Sequence, residues 1–355
     1  MKLKHHTSAV LSYLGSAAFL RPGRRPVYPA GDHYCPTKKK FFNTPPIGAM
    51  DLKGVLSAQW EIMFNRSKLA PPSPLPMMKP DWQAFLAPDS DGKFIWFGHS
   101  TLMMRLNNQT ILIDPVFSDY ASPVPAFIKR FQPPPAGWEE LPPIDTVVHS
   151  HDHYDHFDKD AVRHFADKPV QFIVPLGFGV LLRKYGIRSE RIHELDWWQS
   201  LEYHGVKYHA VPARHYSGRS LFDRNRSLWA GWVFQTSTRQ IYYSGDSSYP
   251  GHFAEIGKRF GGFDIAFIEN GQYNTAWTDN HMMPEQTAQA AREVKTKRFV
   301  PVHWGAYALS IHAWNDPVCR SVPLVKQYGI EPLTPVLGQV FDQNTVTREW
   351  WPEVR

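Results

Sequence analysis

The chain has 355 residues, of which 43% are hydrophobic and 20% are charged. This length and balance fit one large or two ordinary globular domains and exclude a disordered or fibrous chain. Two cysteines exclude a disulfide framework and a cysteine-rich zinc site, whereas 17 histidines leave imidazole for another kind of metal site. The net charge of +6 suits an anionic phospholipid or nucleic-acid surface without requiring either.

The first 80 residues are predicted to form an arm that precedes one folded domain over residues 81–345. Residues 1–18 combine a basic start, a short apolar run and small residues, which is typical of a signal peptide or of a short amphipathic helix. No stretch reaches the roughly 20 apolar residues of a membrane span. These features predict a cytoplasmic or peripherally membrane-associated protein, with periplasmic export as the alternative.

The arm is rich in Pro, Gly and Lys, with one helix predicted over residues 52–64. In the core, strands outnumber helices, and several strands end in polar residues. Strands are predicted at 93–98, 102–106, 110–114, 145–148, 170–174, 206–212, 228–235, 240–244, 265–269 and 299–302, and helices at 159–165, 177–185 and 284–294. This order predicts a layered α/β protein with its chemistry in the loops at strand ends.

One segment places four ligand-type side chains directly after a predicted strand. His151, His153, Asp155 and His156 form a His-x-His-x-Asp-His pattern. Two histidines at a spacing of two can point to one side, while the Asp and His of the following turn point to another, which suits two adjacent metal ions. Imidazole and carboxylate without thiolate favour zinc or a similar divalent ion at a catalytic site. A solvated histidine-rich loop is the alternative, and His149, at the end of the strand, is expected in the core or in support of the ligands.

Three later strands each end near one ligand-type residue. His215, Asp246 and His303 follow apolar predicted strands. A single histidine at a strand end is more often a hydrogen-bonded structural residue than a ligand. Together with the first motif, however, the three residues complete a candidate set for a dinuclear site.

The order of these residues resembles that of the metallo-β-lactamase superfamily, whose fold is a four-layer αββα sandwich with the metals at one edge. Further blocks resemble the N-acylphosphatidylethanolamine-hydrolysing phospholipase D family. These blocks are residues 150–156, 194–198, 245–249, 255–261 and 302–306. The likeness extends from about residue 81 to about residue 338, which is most of the chain.

The resemblance implies a dinuclear zinc site, with another divalent transition metal as the alternative. It implies that one ion is held by His151, His153 and His215 and the other by Asp155, His156 and His303, with Asp246 as the bridge. Asp155 and Asp246 would then also serve catalysis, because the two ions would hold a hydroxide that attacks phosphorus. The products would be phosphatidic acid and an N-acylethanolamine.

Three further residues are expected near the metals. His281 matches a histidine that the family places beside the substrate, where it would orient the phosphate or assist the leaving group, and a structural loop residue is the alternative. His99 and Asp114 are expected to support the ligands through hydrogen bonds.

The implied partner is a phospholipid at a membrane surface, and a homodimer stays open. Aromatic residues make up 14% of the chain, which favours a lipid substrate. Nucleic acid is not expected, since no basic run with interleaved aromatics lies near the site. One alternative is a hydrolase of the same superfamily acting on a small soluble lactone or phosphodiester. The other is a metal- or nucleic-acid-binding protein without catalysis.

Overall fold

The computed structural model describes residues 27–28, 31–48, 51–65, 69–88, 92–123, 128–220, 222–249 and 251–355. The signal-like segment predicted over residues 1–18 lies outside these ranges. In the arm, β1 (Tyr34–Cys35) and β2 (Lys40–Phe41) form a short hairpin, and α1 (Leu52–Phe64) confirms the predicted helix. The Asp51 carboxylate caps α1 by accepting a hydrogen bond from the backbone N–H of Lys53.

Two seven-stranded sheets form the core of the described chain. In spatial order, the first sheet contains β16 (Val340–Phe341), β3 (Lys93–Trp96), β4 (Leu102–Leu106), β5 (Gln109–Ile113), β6 (Thr146–Val148), β7 (Gln171–Pro175) and β8 (Ile192–Leu195). Its strands pair antiparallel from β16 to β5 and parallel from β5 to β8. Asn107 and Asn108 join β4 to β5 with φ angles of 47° and 61°, the conformation that two-residue hairpin turns favour.

The second sheet repeats this mixed pattern. In spatial order it contains β15 (Glu331–Pro332), β14 (Arg298–Val302), β13 (Ile265–Glu269), β12 (Gln240–Tyr243), β11 (Gly231–Gln235), β10 (Val206–Val211) and β9 (Ser200–Tyr203). The strands from β9 to β12 pair antiparallel, and those from β12 to β15 pair parallel. In the parallel part of each sheet, the carboxyl ends of the strands therefore lie along one edge.

Helices cover the outer face of each sheet. The helices of the core are α2 (Trp82–Leu86), α3 (Lys159–His164), α4 (Gly179–Lys184), α5 (His252–Phe260), α6 (Pro284–Glu293) and α7 (Asp316–Gln327). The first three share an apolar cluster with the outer face of the first sheet, and α5, α6 and α7 share one with the second. In the described part of the chain, no helix has both the length and the apolar character that a bilayer span requires.

The alternation of side chains along each strand explains the layers, because one face of the sheet packs against the other sheet and the opposite face packs against helices. Ile111 and Ile113 of β5 point into the cluster between the sheets, whereas Leu112 points to the helices. In β13, Ile265 and Phe267 likewise face the other sheet. Because successive side chains of a strand point to opposite faces, a strand buried on both faces is apolar throughout. The predicted four-layer αββα sandwich is confirmed.

The predicted elements and the observed ones differ in two ways. All predicted strands but one, and the three predicted core helices, lie within two residues of the observed bounds. The strand predicted from residue 228 begins at Gly231, because the preceding N–H groups of Leu228 and Ala230 bond to loop carbonyls of Leu176 and Ser150 instead of a neighbouring strand.

Seven elements of the core were not predicted, nor was the β1–β2 hairpin of the arm; the seven are α2, β8, β9, α5, α7, β15 and β16. Two of the strands are only two residues long, and β9 alternates between exposed and half-buried residues, so their hydrophobic signal is weak. Helix α7 contains Pro323 in its interior, a residue that ordinarily ends helices.

Candidate metal centre

Four loops at one edge of the sandwich carry the predicted metal ligands. The loop after β6 carries His151, His153, Asp155 and His156, and the loops after β10, β12 and β14 carry His215, Asp246 and His303. The first loop belongs to one sheet and the other three belong to the second. The centre therefore lies where the edges of the two sheets meet, and the sequence places the polar residues just beyond the apolar strands that position them.

One group of donors consists of His151, His153, His215 and Asp246, whose ligand atoms all lie within 4.8 Å of one another. The Nδ1 atom of His153 is 2.9 Å from His151 Nε2 and 3.2 Å from His215 Nε2. Both Nε2 atoms lie 3.7 Å from Asp246 Oδ2. Three imidazole nitrogens and a carboxylate that converge in this way match the donor set of a catalytic divalent metal site.

A second group consists of His99, Asp155, His156 and His303, again within 4.8 Å. His303 Nε2 lies 3.3 Å from Asp155 Oδ2 and 3.2 Å from Asp246 Oδ2. Asp246 Oδ1 lies 3.1 Å from His156 Nε2. Asp246 thus contacts imidazoles of both groups, which is the position that a shared ligand of two ions would occupy.

The buried polar atoms of these groups fit divalent cations. His156 Nε2 and Asp246 Oδ1 are buried, and neither has a hydrogen-bond partner of suitable geometry among the described residues. Leaving such atoms unpaired is costly, whereas coordination to a cation would satisfy both. The nitrogen and oxygen donors, without cysteine, suit zinc or another divalent transition metal.

A glycine lets two of the loops meet. Gly245, immediately before Asp246, has a φ of 59°, and a Cβ atom there would come within 2.8 Å of the Ala230 carbonyl oxygen and 2.9 Å of Ser150 Cβ. Only a residue without a side chain adopts this conformation at this closeness without strain. The loop after β12 can therefore pack directly against the loop after β6.

Asp114 holds one predicted ligand in place. Its Oδ2 atom lies 2.8 Å from His156 Nδ1 and accepts hydrogen bonds from Tyr243 Oη at 2.6 Å and Ser150 Oγ at 2.5 Å. With Nδ1 of His156 donating to the carboxylate, Nε2 is left to face Asp246. Carboxylate–histidine pairs orient metal ligands in this way, so the structure places Asp114 where the supporting role requires it.

His99 and His149 lie beside the ligands. His99 Nε2 is 2.8 Å from Asp155 Oδ2, and burial lowers the pKa of His99 to about 3, so the neutral ring donates to the carboxylate. His149 is buried, stacks on Phe178 with the ring centroids 5.0 Å apart, and its Nδ1 lies 3.1 Å from the carbonyl oxygen of His156. It occupies the core position expected for it.

His281 is brought to the same edge by the segment before α6. Its ring centroid lies 5.2 Å from that of His215 and 4.9 Å from that of His303. Its side chain keeps 14% exposure, so a molecule at the edge of the site can reach it. Its Nδ1 lies 3.0 Å from Oε2 of Glu269, a residue that no sequence motif indicated. The signal for Glu269 was its charge at the end of an otherwise apolar strand.

The arm also reaches the centre, which the sequence did not indicate. The Asn43 side chain donates a hydrogen bond of 2.8 Å to the backbone carbonyl of His215. The Arg214 guanidinium donates to the carbonyls of Pro45 and Pro46 at 2.5 and 3.0 Å. The segment that carries His215 is therefore held between the second sheet and the arm.

Ionisation of the ligands should be coupled to metal binding. Burial lowers the pKa of His153 to about 4 and those of His151 and His215 well below the ordinary range. Burial acts in the same direction on His156 and His303, but the nearby Asp246 and Asp155 carboxylates raise the pKa of His303 to about 10 and that of His156 well above its ordinary value.

Metal binding is therefore expected to release protons at neutral pH, because His156 and His303 must lose theirs to coordinate. The affinity should rise as pH increases towards 10. Calorimetric titration with zinc in buffers of different ionisation enthalpy measures the protons released. His303→Gln should reduce that number, whereas His209→Gln, on β10 beside Gln235, should not. Zinc affinity that is constant between pH 6 and pH 9 would contradict this linkage.

Comparison with known proteins agrees with this fold. Residues 109–304 match the family described as the beta-lactamase superfamily domain. The chain belongs to the β-lactamase superfamily. Igni18, a metallo hydrolase from the archaeon Ignicoccus hospitalis, shares the fold with a TM-score of 0.54 at 19% identity, over 70% of this chain and 97% of that chain.

Two relatives are more similar in sequence. An uncharacterized protein of Mycobacterium tuberculosis is 38% identical over 320 residues, which are 88% of this chain and 85% of that protein. The N-acyl-phosphatidylethanolamine-hydrolyzing phospholipase D 1 of Caenorhabditis elegans is 34% identical over 227 residues, which are 60% of this chain and 64% of that protein. The family and these likenesses support a metal-dependent hydrolase.

Proposed function

We propose that the protein is a dinuclear zinc phosphodiesterase that cleaves N-acylphosphatidylethanolamine or a closely related phospholipid in the manner of a phospholipase D. The observation that carries the proposal is the pair of donor groups that meet at Asp246. Two adjacent divalent ions suit an in-line displacement at phosphorus. The similarity to the Caenorhabditis elegans protein named for this activity supports the choice of substrate.

The seven predicted ligands would be shared between two ions. His151, His153 and His215 would hold one ion, Asp155, His156 and His303 the other, and Asp246 would contact both. Bound ions would supply a nucleophilic water at neutral pH and neutralise charge on the phosphate.

Two contacts would hold ligand imidazoles in a fixed orientation during the reaction. Asp114 holds Nδ1 of His156, and the backbone carbonyl of Asn280 lies 3.0 Å from Nδ1 of His215. His281, partly exposed beside both groups, would orient the phosphate or donate a proton to the departing amino-alcohol oxygen.

Helix α1 offers a surface for the bilayer that contains such a substrate. Leu56, Trp60 and Phe64, spaced four residues apart, form one apolar stripe, with 64%, 64% and 59% exposure. The exposed Lys53 lies on the same face, while Ala58 is buried on the other. An exposed stripe of Leu, Trp and Phe is the type of apolar face that interfacial helices bury at a phospholipid surface, and the neighbouring lysine can keep its ammonium group at the level of the headgroups.

The helix is also close to the site. The N–H of Asp51, which caps α1, bonds to the carbonyl of Ala276 at 3.3 Å, and Ala276 lies in the segment that leads to His281. The helix that carries the stripe of Leu56, Trp60 and Phe64 is therefore attached, at its N-terminal end, to the segment that leads to the metal centre. We propose that this stripe enters the headgroup region of a phospholipid membrane.

The proposal is tested by incubating the zinc-loaded protein with a substrate panel in water enriched in ¹⁸O. The panel contains N-acylphosphatidylethanolamine, phosphatidylethanolamine and phosphatidylcholine in vesicles, bis(p-nitrophenyl) phosphate, a cyclic nucleotide and a lactone. Attack at phosphorus gives phosphatidic acid that carries the label, together with unlabelled N-acylethanolamine. Turnover of only the lactone or the soluble phosphodiesters would favour a hydrolase of small anions. Turnover of nothing would favour a binding protein.

Removing the apolar stripe should weaken binding to the bilayer and leave the catalytic centre unchanged. The double variant Trp60→Ala with Phe64→Ala is expected to lose about tenfold or more in partitioning to vesicles and in hydrolysis of vesicle substrate, because each buried side chain contributes roughly 1.5 to 3 kcal/mol. Hydrolysis of bis(p-nitrophenyl) phosphate should not change. Vesicle sedimentation and product analysis give the two measurements.

Tyr328→Ala is the control, since this aromatic is 38% exposed just after α7 and lies three positions before Glu331, which pairs with Arg298 at the opposite end of β14 from His303. It should leave both properties unchanged. Wild-type partitioning of the double variant would refute the assignment of this surface.

A further inference from the structure

Glu269 is a buried carboxylate that belongs to neither proposed ligand group. It is the last residue of β13, follows the apolar run Ile-Ala-Phe-Ile, and has 0% exposure. Burying an ionised carboxylate costs several kcal/mol unless its oxygens are well hydrogen-bonded. A leucine or valine at this position would complete the strand without that cost, so the contacts of Glu269 indicate what it does.

Both carboxylate oxygens are engaged by donors from the two flanking loops. Oε1 accepts a hydrogen bond of 2.7 Å from the backbone N–H of Met282. Oε2 accepts one of 3.0 Å from the backbone N–H of Ser247 and lies 3.0 Å from His281 Nδ1. The carboxylate thus joins the residue after Asp246 to the pair His281–Met282.

The backbone of Glu269 is held from the same two sides. Its N–H donates to Ser244 Oγ at 2.9 Å, and its carbonyl accepts from Thr287 Oγ1 at 3.0 Å. Ser244 precedes the loop of Asp246, and Thr287 lies in α6, which follows His281. The side chain and the backbone of Glu269 are therefore both held in place, so that its carboxylate faces His281 in one orientation.

These contacts bear on which ring nitrogen of His281 carries the hydrogen. Burial raises the pKa of the Glu269 carboxyl, and the nearby His281 opposes that rise. In its ionised form the carboxylate only accepts, so the contact with His281 then requires the hydrogen on Nδ1. The neutral ring then carries its lone pair on Nε2, and the protonated ring carries its second hydrogen there. In either state, Nε2 is the nitrogen left for a substrate at the edge of the metal centre.

We propose that Glu269 is a positioning residue for His281. It fixes the Nδ1–H form of the ring and holds the ring between His215 and His303, so that Nε2 is presented to the phosphate or to the leaving oxygen. The inference rests on the proposed function for the identity of that substrate. The orientation and the tautomer of His281 do not depend on the identity of the substrate and can be measured in its absence.

The test replaces Glu269 with glutamine. The amide of Glu269→Gln has one acceptor oxygen for three donors, and its NH₂ group facing His281 favours the Nε2–H tautomer instead. We expect kcat to fall roughly 10- to 100-fold, as for other residues that orient catalytic groups, with little change in KM. Zinc content should stay at the wild-type value. Nitrogen-15 NMR of the labelled imidazoles, with His281 assigned from the spectrum of His281→Ala, should show the change of tautomer.

A double-mutant cycle tests whether Glu269 acts through His281. In the His281→Ala background, Glu269→Gln should cause no further loss of kcat, because the group it positions is gone. Glu293→Gln is the matched control, since this glutamate accepts hydrogen bonds from Tyr249 and Gln289 away from the metal centre. It should leave kcat and the His281 resonances unchanged.

Additive losses in the cycle, or an unchanged His281 tautomer in Glu269→Gln, would overturn the proposal. If Glu269→Gln does not fold, His281→Asn replaces it, because the asparagine amide can still donate to Glu269 while lacking Nε2. This variant should retain the thermal stability that His281→Ala loses, and equal stabilities of the two would overturn the proposal. If no phosphodiester is turned over at all, the proposed function fails, while the NMR result still decides the role of Glu269.

Discussion

Asp246→Asn is expected to lower phosphodiester hydrolysis by about a thousandfold or more. The carboxylate contacts imidazoles of both donor groups, and the nearby His156 and His303 hold its pKa well below the ordinary value despite its burial, so it would be a charged ligand of both ions. A neutral amide cannot serve two cations equally, and losing the ions removes several kcal/mol of transition-state stabilisation. Metal analysis should show fewer than two ions per chain, and product formation gives the rate.

Asp264→Asn is the matched control for this variant. Asp264 precedes β13, at the end of the strand away from the metal centre, where it accepts hydrogen bonds from Lys297 and from the backbone N–H of Gln240. The same chemical change there should leave metal content and rate close to wild type. Full activity of Asp246→Asn with a full complement of metal would exclude the shared-ligand role.

Trp304→Ala is expected to destabilise the protein by about 3 to 5 kcal/mol, the usual cost of removing a large buried aromatic side chain. Trp304 follows His303 directly, is 1% exposed, and stacks against Trp96, Trp314 and Trp350 with centroid distances of 5.3, 6.1 and 5.2 Å. Its ring thus occupies the core at the base of the metal centre. Equilibrium unfolding in urea, followed by circular dichroism, measures the loss.

Trp60→Ala removes the same side chain from the surface, where Trp60 is 64% exposed. Its effect on the free energy of unfolding should stay within about 0.5 kcal/mol. If both variants unfolded at the wild-type urea concentration, the tryptophan cluster would not stabilise the core. Since Trp304 positions the backbone of His303, weaker metal binding should accompany the destabilisation.

The strand pattern was sufficient to predict a layered α/β protein, because the central strands are apolar on both faces and several end at polar residues, whereas the four-layer sandwich followed from the family resemblance. The segment from β6 to His156 illustrates this, since an apolar strand leads without a gap into the ligand motif. Tertiary contacts decide the elements that were missed. Pro323 lies inside α7, a helix that packs its Val318, Val322 and Val325 against the core, and this packing outweighs the helix-breaking tendency of proline.

The candidate ligands could be predicted because their chemistry is visible in the type and spacing of the residues. Asp114 and His99 were also predicted as supports of the ligands, but other residues that contact the site were not. Glu269 resembles an ordinary strand-end glutamate, and only the folded chain brings it to His281, which lies on the segment before α6. Asn43 is similarly remote, since 172 positions separate it from His215. Long-range hydrogen bonds of this kind leave no periodic pattern in the sequence.

The division of the ligands between the two sheets has a mechanical consequence. Asp155 and His303 are 148 positions apart in the chain, yet their side chains meet. An ion held by both would cross-link the two sheets of the native fold. Because the unfolded chain has no preformed site, the metals would also stabilise the native state by mass action. The ions would then link the two sheets as well as serve catalysis. Removing them with a chelator would lower the activity and the stability of the protein together.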